Sequence, residues 1–168
     1  MRRFVLLTLG LGIALVTFPG VALARGHGWT FLPASSFTLQ ACGTDVAYDV
    51  VSNKEYAKIV TEPDGSTVFV LVTGVLKIRL TNLATGRSFV VNASGTGHNA
   101  VISATGDFLF TSSGPSLILL TPEQVAETGL PEIFLNQGNM TILFGADGSA
   151  QLLGRTGHLV DECAQLAG

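Results

Sequence analysis

The run TVFVLVTGVLKIRLTN, residues 67–82, constrains this chain more than any other stretch. Its even positions from Val68 to Leu80 are all apolar or glycine. Its odd positions begin apolar, with Phe69 and Leu71, and end polar, with Lys77, Arg79 and Thr81. A side-chain period of two belongs to a β-strand. One face is therefore expected to be buried throughout, the other only over its first half. Fully extended, sixteen residues span about 50 Å, too long for a flat strand in a small domain. The strand must bend, and Gly74 at its centre is the expected kink or bulge. A long bent strand is what a barrel or a strongly curved sandwich requires.

The surrounding segments repeat the strand pattern. Before it lie FTLQA (37–41), VAYDVV (46–51) and EYAKIVTE (55–62). After it come RSFVVNAS (87–94), AVISA (100–104), DFLFTS (107–112), SLILL (116–120), MTILF (140–144) and SAQLLGR (149–155). PDGS (63–66) and ADGS (146–149) carry the Asp-Gly signal of tight hairpins, and NLATGR (82–87) suits a longer loop with Gly86 in a left-handed conformation. TPEQVAETG predicts one short helix near 122–128, with Thr121 as N-cap, Pro122 in its first turn and Gly129 as its stop. The tail HLVDECAQL (158–166) suits another helical turn. These elements imply an all-β fold: an antiparallel meander closing into a β-barrel or barrel-like sandwich.

The opening MRRFVLLTLGLGIALVTFPGVALARG has a basic start, an apolar run, a Pro-Gly break and an Ala-Leu-Ala site. That order is expected of a signal peptide over residues 1–24, cut after Ala24, and the apolar run is shorter than the ~20 residues of a span. A flexible leader over 25–36 and a single domain over 37–168 follow. Removing Arg2 and Arg3 leaves seven Lys and Arg against twelve Asp and Glu, a formal charge of −5. That balance argues against a nucleic-acid or anionic-membrane partner. In an oxidising compartment the two cysteines, Cys42 and Cys163, are expected to form one disulfide from the first strand to the tail. Neither has a CxxC partner, so a metal site is not expected there.

No catalytic signature stands out. His27, His98 and His158 lack ligand spacing. Ser94, His98 and Asp107 form a triad only by selection, since nothing in their spacing supports one. Asp45 and Asp49 share a strand face and are expected to point to solvent, while Asp161 and Glu162 lie in the tail. The two DGS turns lack the carboxylate series of a calcium loop. Asn92-Ala-Ser and Asn139-Met-Thr match the glycosylation sequon. No cofactor is implied.

The order CGTDVAYDVV, DGSTVFVLVTGVLKIRLTNLATGRSFVVNASGTG and DGSAQLLGRTGHLVDECAQL resembles a group of small secreted, functionally uncharacterised β-rich proteins of actinobacteria. The likeness covers residues 42–166. It implies export and β architecture and supplies no catalytic residue.

Three functional classes remain in view: a secreted, non-enzymatic barrel binding a small apolar ligand or an envelope component; a barrel-type cyclase or isomerase; and a structural or protein-binding envelope module. The enzyme requires a buried polar cluster around Tyr48, Tyr56, Asn92 or His98. A ridge of exposed apolar residues, for example on the outer half of 67–75, would favour the module.

Overall fold

A computed structural model describes residues 28–102 and 105–168. The signal peptide expected over 1–24 lies outside the described residues. In chain order the strands are β1 (Thr30–Phe31), β2 (Phe37–Ala41), β3 (Thr44–Thr61), β4 (Thr67–Asn82), β5 (Ser88–Asn92), β6 (Thr96–Ile102), β7 (Asp107–Ser113) and β8 (Pro115–Leu119). Helix α1 (Pro122–Thr128) follows, then β9 (Ile133–Gln137), β10 (Met140–Phe144), β11 (Ala150–Arg155), β12 (His158–Asp161) and helix α2 (Glu162–Ala167). The fold is mostly β, and every strand pair is antiparallel.

The long run is strand β4, and its hairpin with β3 is the spine of a nine-stranded sheet. Both spine strands have a device at the bend. On β3 the register skips Val51: Val50 pairs with Ile78, then Ser52 pairs with Lys77. This bulge reverses the parity of the strand. Val46, Tyr48 and Val50 share the inner face before it, and Asn53, Glu55 and Ala57 after it. The polar stretch Ser52-Asn53-Lys54, which reads as a break between two strands, is paired with β4 directly after the bulge and continues one strand. On β4, Gly74 takes φ 134° directly opposite Glu55. A β-carbon there would lie 2.2 Å from the Lys54 carbonyl oxygen. The bulge itself sits on the partner strand, while the glycine permits the close approach.

Strands β5 and β6 run along the same edge of β4 in one continuous register, since Lys77 pairs with Asn92 and Val72 with Gly97. They amount to one long strand interrupted at Ala93–Gly95. Gly95 is needed there because a β-carbon would meet the Pro115 carbonyl at 2.5 Å and the Ser116 hydroxyl at 2.6 Å. The large sheet thus folds across the Gly74/Gly95 line where β8 passes beneath it.

Between the two halves lies a second sheet, in order β12-β9-β8. Strand β9 alternates Ile133 and Leu135 toward one core cluster and Phe134 toward the other. The first cluster packs them against Val46, Ile78, Leu80 and Val91 of β3, β4 and β5, with Leu166 of α2. The second packs Phe134 and Ile118 against Met140, Ile142 and Phe144 of β10, with Phe108 and Phe110 alongside. A strand buried on both faces reads as an unbroken apolar run, and IFL is too short to announce itself beside its Pro-Glu and Gly-Asn flanks. This central strand was absent from the sequence-based expectation.

The described ladders do not close a barrel: none joins β11 back to β1, β2 or β5. The even face of β4 points inward along its length, but its deep burial falls on Ile78, Leu80 and Asn82, with Val68 to Val72 only half-buried. The segment expected as a leader is joined to β3 at several points. Thr30 and Phe31 pair with β3, Leu32 donates its N–H to the Glu55 carbonyl at 2.9 Å, and Ser36 Oγ accepts from Val50 N–H.

The helix over 122–128 forms as expected. Thr121 and Gln124 make a reciprocal capping box, and Gly129 ends the helix with φ 69°. Gln124 Nε2 also donates to the Gly148 carbonyl, and Glu127 accepts from Ala150 N–H, so α1 is clamped to the β10–β11 hairpin. The tail is strand first and helix second, with Asp161 capping α2 through Ala164 N–H.

Candidate functional site

Cys42 and Cys163 are bonded, with Cα atoms 5.1 Å apart across a sequence separation of 121. Cys42 and Gly43 take φ 56° and 72° in the two-residue connection from β2 to β3, as a type I′ hairpin turn demands. Glu132 accepts from Cys42 N–H, which brings a carboxylate to the sulfurs. Thiolates are the metal ligands of cysteine, and here both sulfurs are committed to each other.

Where that bond holds α2 against the sheets, a cleft of about 650 Å³ opens between β5 and the three-stranded sheet. Its deep lining is apolar: Val91 of β5 and Leu135 of β9 are both buried, with Phe89 and Val160 half-buried beside them. The rim carries Asn92, Gln137 and Gln165, all exposed. Backbone groups also face it. The bonds Asn82 N–H to Arg87 O and Ala93 N–H to Leu76 O fix the alternation of the β4–β5 ladder. Antiparallel alternation then turns the N–H and C=O of Val90 away from β4, and β5 has no other strand partner among the described residues.

The charged member of the lining is Glu162, first residue of α2, with 2% of its surface exposed. Its Oε2 is buried and has no hydrogen-bond partner among the described residues. Burial, with a smaller contribution from the neighbouring Asp161 charge, pushes its carboxyl up to about 7. In the unfolded chain the group titrates near its ordinary 4.5. Below that pH both states are neutral and the burial is harmless. As pH rises through about 7 the unfolded state has already released its proton, so stability is lost. Glu162→Gln is therefore expected to match the parent in urea unfolding at pH 4.5 and to exceed it at pH 8. Equal midpoints at pH 8 would show that the carboxyl carries no such burden. Glu55, also raised by burial, is present in both proteins and cancels from the comparison.

A second polar feature is structural. Asn136 on β9 is completely buried, and among the described residues neither its Oδ1 nor its Nδ2 has a partner; the Ser112 hydroxyl is likewise unpaired there. Such groups cost about 1–3 kcal/mol each when left unsatisfied.

The residues singled out from sequence do not converge. Tyr48 lies on the inner face, stacked on Phe37 at 4.5 Å between ring centroids, and burial followed by the Glu55 charge pushes its hydroxyl up to about 12. Tyr56 lies beyond the bulge on the outer face, edge-on to Phe31. The two tyrosines therefore lie on opposite faces of β3 and do not meet. Ser94 and Asp107 sit near opposite ends of β6, about 20 Å apart by strand rise, and Ser94 Oγ is engaged with Leu76 and Asn92. His98 falls at the β6 position opposite Leu71 and Thr111. His158 is exposed, and His27 lies outside the described residues. Asp45 and Asp49 are exposed, as expected. Asp64 and Asp147 each accept from the serine two residues on, and those bonds hold both carboxyls below the usual range. Among the sequon positions, Asn92 and Asn139 are both exposed. Glu162 was visible in sequence only as half of a tail Asp-Glu pair. Its position directly before a disulfide-bonded cysteine is the signal that could have marked it as held inside.

No helix among the described residues is long and apolar enough to cross a membrane. The chain has no significant match to a protein-family model, a curated protein or a solved structure.

Proposed function

We propose that this is a secreted, non-enzymatic β-protein that holds a small, mainly apolar molecule in the cleft between β5 and the three-stranded sheet. The reading takes residues 1–24 as a removed signal peptide and the rest as one exported domain, a barrel-like sandwich in which the large sheet wraps the small one. The disulfide is compatible with an oxidising compartment. The observation that carries the binding role is the pairing of an apolar cleft with one deep, unpartnered carboxyl oxygen. Ligand sites combine mostly apolar walls with a few placed polar groups, and the cleft volume lies in their range.

Native mass spectrometry of freshly exported protein tests this reading. A mass excess that vanishes on denaturation is expected from the parent and not from Gln165→Trp, whose indole would crowd the rim. Ligand-free parent that also fails to take up any small amphiphile in a binding titration would end the proposal.

A further inference from the structure

We infer that the ligand of this cleft carries a basic nitrogen on an apolar body, and that the Glu162 carboxylate is its counter-ion. The inference rests on the binding role proposed above and adds the chemical class. Three observations support it. Glu162 is buried, yet among the described residues the protein offers its Oε2 no donor. A buried polar atom without a partner calls for one, and a protonated amine is the donor that also neutralises charge. The other residues lining the cleft are uncharged, so no lysine or arginine there competes for the carboxylate. Among the described residues lining the cleft, the rim amides of Asn92, Gln137 and Gln165 and the outward backbone edge at Val90 are neutral hydrogen-bonding groups. An anionic ligand would meet Glu162 with no cation in the described lining to balance it.

The geometry sets the rest of the molecule. Phe89 and Val91 on one side, and Leu135 and Val160 on the other, suit a flat or chain-like hydrocarbon. The cleft opens at an exposed polar rim, so any second polar group of the ligand belongs at the end away from the nitrogen. The chain's net negative charge, −3 over the full sequence, favours the approach of a cation.

Three probes of one shape separate the possibilities: 2-phenylethylamine, 2-phenylethanol and phenylacetate, titrated into the oxidised protein at pH 8 and followed by amide chemical shifts and calorimetry. The amine is expected to bind at least about tenfold more tightly than the alcohol, the size of a hydrogen bond to a charged group, and the acid not at all. Glu162→Gln should abolish the preference for the amine over the alcohol. Shifts confined to β5, β9, β12 and α2 would locate the site. Equal binding of amine and alcohol by the parent would overturn the counter-ion while leaving the binding role intact. Preferential binding of the acid would overturn it as well. Failure of all three probes, together with ligand-free native mass spectra, would remove the binding role itself. The comparison of amine with alcohol on the parent needs no variant, so a poorly folded Glu162→Gln would not rescue the idea.

Discussion

The double variant Cys42→Ser, Cys163→Ser is expected to unfold at a temperature roughly 10–15 °C below the parent, a loss of about 4 kcal/mol. The reason lies in the unfolded chain. The bond spans 121 residues, so cutting it releases nearly the whole domain into a larger ensemble. Serine is close to cysteine in size, and its hydroxyl leaves the left-handed backbone at position 42 no more strained than before. The folded state should therefore keep its far-ultraviolet circular dichroism below the transition. Differential scanning calorimetry of parent, reduced parent and double variant measures the effect. A shift of only a degree or two would mean that the tail stays docked in the unfolded ensemble, or that α2 contributes nothing to the cores. The latter would contradict the complete burial of Leu166.

The second large effect is expected at Gly74. Gly74→Ala should cost at least about 3 kcal/mol, because two penalties coincide. The backbone sits at φ 134°, which side chains rarely adopt, and the new methyl would lie 2.2 Å from the Lys54 carbonyl and 2.7 Å from Glu55 Cα. Both obstacles are backbone of a paired strand and cannot swing aside. Gly154→Ala is the control. Gly154 is also a strand glycine, in β11, but nothing lies within 4 Å of its missing β-carbon and its φ is not positive. That variant should be neutral or slightly more stable, since alanine restricts the unfolded chain. Urea unfolding of the pair decides the matter. If both alanines behave alike, the bend does not depend on Gly74.

How far the fold was readable depended on whether its signal was local. The β4 run announced itself because sixteen residues kept one parity. The α1 helix was legible to the residue because its cap, its proline and its stop glycine are chemical signals a few positions apart. The disulfide followed from there being only two cysteines in a chain read as exported. The parity switch at Val51 was not readable: Ser52-Asn53-Lys54 looks like a loop unless the partner strand is in view. Nor was β9, whose burial comes from two separate layers that meet only in three dimensions. The cleft was hidden for the same reason. Glu162 is an ordinary charged residue of the tail until the disulfide and Leu166 draw α2 inward.

The double-faced strand β9 has a consequence for how the molecule comes apart. Ile133 and Leu135 belong to one hydrophobic layer and Phe134 to the other, so neither layer can open without stripping a wall from its neighbour. The two halves of the bent sheet are thus thermodynamically a single melting unit. During synthesis the earlier strands, from β1 through β7, have nothing to close upon until the last third of the chain arrives to fill the space between them.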